Sequence, residues 1–212
     1  MTKVFLKKQI QNRVLLGHPW IFGNEAGEIK GEVNAGDIVE VYTHKGFFLG
    51  RGYINPQSQI LVRLLTRDRN EEINAEFFYR RLLKCWEYRQ KLGYVENCRL
   101  VFGEADDLPA LVIDKFNDYF VLQTLALGME KWKDAIVDAI HRIFSPKGIY
   151  ERNDVPVREL EGMTQQKGFL SAPFDTNIII RENGLRFHVD IVNGQKTGYF
   201  LDQQDNRREI KH

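Results

Sequence analysis

Residues 46–54 read GFFLGRGYI, and this stretch decides the fold of the first third of the chain. Two further β-prone runs flank it, IVEVY at residues 38–42 and QILVRLL at residues 59–65. Short strands that are evenly spaced and separated by turn residues are typical of a small β-barrel. The sequence therefore predicts a barrel over residues 1–70, with a short helix at residues 7–16.

The charge of the chain is uneven along its length. Residues 1–70 carry 10 Lys and Arg against 6 Asp and Glu, a net charge of +4, whereas residues 101–190 carry 10 against 15. A basic module on an otherwise acidic chain indicates an anionic partner. Guanidinium groups and flat rings suit the phosphates and unstacked bases of RNA. The candidate RNA-binding residues are Arg13, His18, Arg51, Tyr53 and Arg63.

Two of the neighbouring side chains have simpler interpretations. Trp20 suits a plug for the barrel core, and His18, which precedes Pro19, suits a turn. Arg51 has a stronger claim, because the glycines on both sides of it let another backbone approach closely.

Several classes of protein are excluded by composition. No apolar run approaches the roughly 20 residues of a membrane span, and residues 1–8 lack the apolar segment of a signal peptide. The two cysteines, Cys85 and Cys98, cannot form a disulfide framework and lack partners at zinc-ligand spacing. The sequence thus predicts a cytoplasmic protein with no membrane partner and no metal site. The carboxylates of residues 104–107 could bind a hard cation, but Asp and Pro here favour a reverse turn.

The middle of the chain, residues 71–190, alternates helical and strand patterns. Asn74 is the predicted N-cap of a linker helix that ends near Gly93, and Asn183-Gly184 predicts a hairpin. Asp154 is expected to cap a helix with Pro156 in its first turn, although residues 151–154 also suit a ligand site. Strands are predicted at Arg99–Phe102, Leu111–Ile113, Tyr119–Leu125, Ile149–Tyr150, Asn177–Arg181 and Leu185–Ile191, and a helix at Met129–Phe144.

The stretch GQKTGYFLDQ at residues 194–203 contains the Lys-Thr pair of a phosphate-binding loop. The glycines that such a loop requires are replaced by Gln195 and Asp190, which argues against a nucleoside triphosphate site. Residue chemistry alone leaves two interpretations open, an ordinary loop between a strand and a helix or the rim of a ligand pocket.

Taken together, these motifs resemble the PUA-domain-containing class I S-adenosylmethionine-dependent RNA methyltransferases, a group that includes cytosine-5 methyltransferases of large-subunit ribosomal RNA. The resemblance implies an α+β protein with three parts: a PUA-like RNA-binding barrel (1–70), a linker helix with a central α+β domain (71–190), and a C-terminal Rossmann-like methyltransferase domain truncated at its start (191–212). The motifs that carry it are HPWIF (18–22), LGRGY (49–53), FGEADDLP (102–109), YERND (150–154), ENGL (182–185) and GQKTGYFLDQ (194–203).

The resemblance also implies a cofactor, S-adenosylmethionine in the full-length protein, and a partner, RNA that is ribosomal. Neither cysteine matches the family's nucleophile, which adds to cytosine C6 before methyl transfer, so all catalytic residues are expected beyond His212. We therefore expect this chain to bind RNA without catalysing. An RNA-binding adaptor without a catalytic domain is the alternative, and a homodimer is left open. The cofactor-binding candidates are Gln195, Lys196, Thr197, Phe200, Asp202, Gln203, Asn206 and Arg207.

Overall fold

The computed structural model describes residues 1–8 and 12–210. Part of the helix predicted at residues 7–16 falls outside these ranges, and the described part contains one turn of helix, α1 (Asn12–Leu15). Among the described helices, none has both the length and the apolar character needed to cross a membrane.

The predicted barrel corresponds to a curled six-stranded sheet. Its strand order is β2-β6-β5-β4-β1-β3, in which β1 pairs in parallel with β4 and the other pairs are antiparallel. Alternate residues such as Val4, Leu6, Val39 and Val41 point into one apolar core. The strands are β1 (Lys3–Leu6), β2 (Trp20–Ile21), β3 (Ala26–Lys30), β4 (Ile38–Tyr42), β5 (Phe48–Ile54) and β6 (Val62–Thr66).

Gly52 shows what the glycines around Arg51 do. A Cβ atom at Gly52 would lie 2.0 Å from the carbonyl oxygen of Arg63, so only glycine fits between β5 and β6. The close approach expected from the sequence is therefore made by the neighbouring strand of the same sheet.

The middle of the chain forms a second, five-stranded sheet covered by helices. The strand order is β11-β10-β9-β8-β7, and only β9 and β10 are parallel. The predicted strands are confirmed, whereas β11 was not predicted and the helix expected at Met129–Phe144 is two helices. The elements are α2 (Ala75–Lys91), β7 (Asn97–Phe102), β8 (Leu111–Phe116), β9 (Tyr119–Thr124), α3 (Leu127–Glu130), α4 (Lys133–Phe144), β10 (Gly148–Asn153) and β11 (Gln166–Phe169).

Helix α2 begins as its sequence predicts. The side-chain oxygen of Asn74 accepts a hydrogen bond from the backbone N–H of Phe77 at 3.0 Å. This bond satisfies one of the backbone donors that have no partner within the first turn of a helix. Phe77, Phe78 and Leu82 then recur on one face and are fully buried in the largest core, together with residues of the five-stranded sheet. Periodicity and capping therefore locate this helix correctly.

The predicted hairpin is also confirmed. Strands β12 (Asn177–Glu182) and β13 (Leu185–Asp190) pair antiparallel. Asn183 and Gly184 both have positive φ, as a two-residue hairpin turn requires. The hairpin packs its inner face on the five-stranded sheet, and a short helix, α5 (Gln204–Ile210), follows the loop after it.

Polar groups tie the two large sheets together along what we call the seam. The Tyr53 hydroxyl donates to the carbonyl of Pro109 at 2.9 Å, and the Arg63 guanidinium pairs with the Glu161 carboxylate at 2.8 Å. Glu161 also accepts from Asn55 at 3.0 Å, and both charged side chains are more than nine-tenths buried. Trp20, expected as a core plug, instead donates its indole N–H to Glu104 across the seam at 2.7 Å.

Replacing Glu161 by Ala should strongly destabilise the protein. The change leaves Arg63 buried without its counter-charge, a loss of about 3–5 kcal/mol for a broken buried pair. Urea unfolding followed by tryptophan fluorescence measures it, and Glu159→Ala, at an exposed position two residues away, is the matched control. Equal unfolding midpoints for the two variants would show that the seam pair does not hold the sheets together.

Candidate functional site

The five predicted RNA-binding residues fall into three different environments. Arg13 pairs with the buried Glu25 at 2.6 Å, and its guanidinium also lies 2.7 Å from Nδ1 of His18. His18 accepts from the backbone N–H of Trp20, and burial followed by the charge of Arg13 lowers the pKa of its imidazole. Arg51 pairs with Glu40 at 2.8 Å and donates to the carbonyl of Glu71. The structure thus brings Arg13 and His18 together, with Arg51 elsewhere.

Tyr53 and Arg63 lie in the seam and do not reach the surface. Their residues are 1% and 6% exposed, and each bonds to a residue of the five-stranded sheet region. A buried ring cannot stack on an external base, and a paired, buried guanidinium cannot reach a phosphate. The prediction that Tyr53 and Arg63 contact RNA is therefore wrong.

A second surface on the six-stranded sheet combines rings with cations, and the sequence analysis missed it. Phe5 stacks on Tyr42 with centroids 5.3 Å apart, and Phe48 meets the same tyrosine ring edge-on at 5.8 Å. Exposed cations lie over these rings: Lys30 over Phe5 at 5.1 Å and Arg69 over Phe48 at 4.9 Å. We call this set the aromatic–basic row: Lys3, Phe5, Lys30, Tyr42, Phe48 and Arg69.

The register of the strands places the residues of this row side by side. Val4 and Leu6 point into the core, so Lys3 and Phe5 point outward, and pairing places Phe5 opposite Tyr42 and Lys3 opposite Lys30. The alternation of Lys3 and Phe5 with buried residues is visible in the sequence. Their neighbours across β3 and β4 depend on the order of the strands, which the sequence does not reveal.

The predicted cofactor-binding residues lie on the loop after the hairpin, on the 3-10 turn (Leu201–Gln203) and in helix α5. Thr197 is fully buried, and its hydroxyl donates to the carboxylate of Asp114 on β8 at 2.5 Å. Asp114, also fully buried, forms two 2.9 Å hydrogen bonds with Arg99. Arg152 on β10 donates to the carbonyls of Ile191 and Gly194 at 2.6 and 3.1 Å. The five-stranded sheet therefore holds the loop from two strands.

Arg207 is turned inward like Thr197. It forms a two-point ion pair with Glu182 of β12 at 2.6 and 2.7 Å, and its guanidinium covers the ring of Tyr199 at 4.4 Å. The Glu182 hydrogen bond is the main reason that the pKa of Arg207 is raised. Arg207 thus fixes α5 to the hairpin.

The remaining candidates share an accessible rim. Lys196, whose φ is +54°, pairs with Asp202 at 3.1 Å and lies over the ring of Phe200 at 4.5 Å. Burial opposes ionisation of Asp202, but hydrogen bonds, first from Lys196, lower its pKa below the usual value. Gln195 is exposed, and Asn206 donates to Gln203 at 2.7 Å. The rim therefore presents one ammonium group, one carboxylate, one ring and three amides.

The acidic turn at residues 103–109 is a structural element. A 3-10 turn (Gly103–Asp106) ends at Asp107 in the left-handed conformation, as the reverse-turn interpretation predicts. Asp106 pairs with Arg89, Asp107 with Arg81, and Glu104 accepts from Trp20. Among the described residues, no group of three or more His, Cys, Asp and Glu side chains could hold a metal.

Two smaller expectations have clear outcomes. The N-cap prediction for Asp154 is wrong, because its carboxylate accepts a hydrogen bond from Arg152. The 3-10 turn (Pro156–Glu161) starts after Val155 without a side-chain cap, and Pro156 is its first residue, as predicted.

Cys85 and Cys98 are buried and unbridged, and burial raises the pKa of each thiol to about 12. Both therefore remain protonated at neutral pH.

Comparison with known sequences finds one matching family model and related proteins that share one name. Residues 4–67 match a family model described as a PUA-like domain. The chain is 41% identical over 210 residues to ribosomal RNA large subunit methyltransferase I of Aliivibrio fischeri (strain MJ11), covering 97% of this chain and 53% of that protein. It is 40% identical over 212 residues to the protein of the same name from Photobacterium profundum, covering 98% and 53%. The chain therefore spans about half the length of the curated relatives it matches.

Two solved structures share the fold. One is a candidate SAM-dependent methyltransferase from Streptococcus mutans, with a TM-score of 0.78 and 20% identity, covering 99% of this chain and 54% of the other. The second is a candidate methyltransferase in complex with SAH, with a TM-score of 0.80 and 20% identity, covering 99% and 53%. At this identity the likeness shows the fold alone.

Replacing Thr197 by Val should loosen the loop without unfolding the protein. Hydrogen bonds to charged groups contribute about 1.5–3 kcal/mol, so amide protection over residues 194–201 should fall at least about tenfold. Hydrogen exchange with mass spectrometry measures it, and Thr164→Val at an exposed position is the control. Unchanged protection in Thr197→Val would show that Asp114 does not hold the loop.

Proposed function

We propose that this chain supplies the RNA-binding part and one wall of the cofactor site of an S-adenosylmethionine-dependent methyltransferase that acts on large-subunit ribosomal RNA. The names of the relatives and the PUA-like match support the substrate class. The observation that carries the proposal is the aromatic–basic row. The finer prediction, methylation of cytosine at C5, belongs to the proposal as well.

RNA binding through the row follows from its chemistry. Phe5 and Phe48 are partly exposed and offer stacking surfaces to any base, whereas Tyr42 is buried and supports both rings. Exposed ammonium and guanidinium groups neutralise phosphates. Arg69 forms no ion pair with a described residue, and the single ion pair of Lys30, with Glu28 at 3.3 Å, is exposed and weak. Both cations can therefore exchange their ring contacts for phosphate contacts at little cost. Arg13 on α1, His18 in the loop before β2, and Arg51 on β5 remain candidate contacts.

The cofactor proposal rests on the rim after the hairpin. Gln195, Lys196, Phe200, Asp202, Gln203 and Asn206 offer amide, ring and charged groups of the kind that hold a polar cofactor with an aromatic base. Thr197 and Arg207 contribute by holding the loop and α5 in position rather than by facing a ligand. When bound, the cofactor would supply the methyl group, and these residues would orient it.

Three further expectations belong to this proposal. They are the domain boundaries at residues 70 and 190, a cytoplasmic location and the start of a Rossmann-like domain at residue 191; the PUA-like match over residues 4–67 supports the first boundary. The homodimer left open by the sequence gains no support from the described residues. We include the first three in the proposal and omit the homodimer.

The double variant Lys30→Ala/Arg69→Ala should bind single-stranded ribosomal RNA fragments more weakly at low salt. Each lost phosphate contact should lower the magnitude of the slope of log affinity against log salt by about 0.7. Fluorescence anisotropy across a salt titration measures this slope. Lys84→Ala/Lys91→Ala, which removes two exposed cations from α2, is the matched control. Equal slopes for the two double variants would contradict RNA binding through the row.

The chain of 212 residues should hold S-adenosylmethionine only weakly, because a single wall supplies a fraction of the contacts that a cofactor site needs. We expect no methylation of RNA and a dissociation constant well above the micromolar range in titration calorimetry. A dissociation constant of about 1 μM, which corresponds to a binding free energy of about −8 kcal/mol, would show that the chain contains a complete site.

A further inference from the structure

The hairpin of β12 and β13 has one side that packs on the core and one side that faces solvent. Ile178 and Ile180 of β12 and Val189 of β13 are buried in the core that they share with the five-stranded sheet. Because side chains alternate along a strand, the residues between them point the other way. We call this side the outer face, and its exposed residues are Asn177, Ile179, Arg181, Arg186 and His188.

Two arginines lie directly opposite each other on the outer face. The register of the hairpin pairs Arg181 with Arg186, and it pairs Ile179 with His188. Side chains that are directly opposite on one face have Cβ atoms about 4.5–5.5 Å apart, and like charges at this separation destabilise the strand pair. The outer face therefore holds two positive charges against each other.

Neither arginine has a counter-charge in the part of the chain that the structure describes. Their guanidinium groups form no ion pair and no hydrogen bond with a described residue. The two acidic residues of the hairpin are engaged elsewhere. Glu182 pairs with Arg207 on the inner side, and Asp190, at the far end of the outer face, accepts from the backbone N–H of Asn193. The repulsion between Arg181 and Arg186 is therefore not compensated within the described chain.

The fold keeps the two arginines in this position. The two-residue turn at 183–184, in which both residues have positive φ, fixes which residues of the strands are paired. A slip by one residue would turn the buried isoleucines of β12 to solvent. The carbonyl oxygen of Arg181 accepts a hydrogen bond from Asn97 at 2.8 Å. That of Ile179 accepts one from Asn117 at 3.1 Å, so the five-stranded sheet also anchors β12.

The chemistry of the outer face suits phosphates. Guanidinium groups present paired N–H donors that match the oxygens of a phosphate. A protein interface, in contrast, needs an apolar centre, and of the five exposed residues only Ile179 is apolar. Residues 101–190 carry 10 Lys and Arg against 15 Asp and Glu, so the two arginines are not part of a generally basic region. Charge complementarity therefore favours a chain of phosphates over an acidic protein.

We propose that the outer face of the hairpin binds the phosphate backbone of RNA, as a second contact separate from the aromatic–basic row. Arg181 and Arg186 each pair with a phosphate, which removes their mutual repulsion, and His188 offers a hydrogen bond to the same strand. The contact is independent of base sequence, because phosphates carry no direct sequence information. The inference rests on the proposed function for the identity of the anion.

The double variant Arg181→Ala/Arg186→Ala tests the contact. For a single-stranded ribosomal RNA fragment it should lower the magnitude of the slope of log affinity against log salt by about 1.4, since each lost phosphate contact removes about 0.7. Fluorescence anisotropy across a salt titration measures the slope. Lys84→Ala/Lys91→Ala removes the same charge from exposed positions of α2 and is the matched control. A slope equal to that of the control would overturn the proposal.

Arg186→Glu separates a binding role from a structural one. It places opposite charges where the parent has like charges, so the midpoint of thermal unfolding at low salt should rise. The affinity for RNA should nevertheless fall further than in Lys84→Glu, which makes the same change of charge at an exposed position of α2. Circular dichroism and anisotropy measure the two quantities. A lower midpoint, or RNA affinity equal to that of Lys84→Glu, would overturn the proposal.

Two further outcomes would assign the outer face to a different occupant and would also overturn the proposal. One is binding of poly-glutamate as tightly as RNA, lost in Arg181→Ala/Arg186→Ala. The other is self-association of the parent chain that the same variant abolishes, measured by sedimentation. The proposed function is tested separately. If Lys30→Ala/Arg69→Ala lowers the salt slope and Arg181→Ala/Arg186→Ala does not, RNA binding through the aromatic–basic row stands and this inference alone fails.

Discussion

The tail of the described chain depends on one buried carboxylate. Asp114 lies in the middle of β8 with no exposed surface, and an isolated charge there would be strongly unfavourable. The Arg99 guanidinium and the Thr197 hydroxyl compensate it, so strand β7 and the loop after the hairpin are both drawn to the same group. Because Arg99 also supports the ring of Phe102, the position of that ring and the conformation of the loop are coupled through Asp114.

The seam likewise depends on buried charged groups that compensate each other, here between the two large sheets. Arg63 and Glu161 are 98 residues apart in the chain and meet where both side chains are more than nine-tenths buried. Asn55 and Ser58 complete the hydrogen bonds of the Glu161 carboxylate, which makes the pair specific to one arrangement of the two sheets. Steric fit adds to it, because a Cβ atom at Gly128 would lie 2.1 Å from the Tyr53 ring. Charge and shape therefore fix the same orientation.

Local signals in the sequence predicted local structure well, and long-range contacts limited the rest. The hairpin at Asn183 and the N-cap at Asn74 depend on a few neighbouring residues, and both are found as expected. The burial of Arg63 could not be predicted, because its partner is distant in sequence and no local pattern distinguishes a buried arginine from one that binds phosphate. The candidate cofactor residues show the same limit. The sequence does not reveal that Lys196 lies on the accessible rim whereas Thr197 is buried, because the partner of Thr197, Asp114, lies on a distant strand.

The seam has a consequence for how such a protein can be rearranged. One side of the six-stranded sheet carries Tyr53 and Arg63, which bond to Pro109 and Glu161 of the neighbouring region. A recombination that moved this sheet onto another protein would leave the Tyr53 hydroxyl, the Arg63 guanidinium and the Asn55 amide without these partners. The sheet is therefore not a freely exchangeable module: a viable graft has to carry residues 109 and 161 with it, or replace the buried pair with apolar side chains of matching volume.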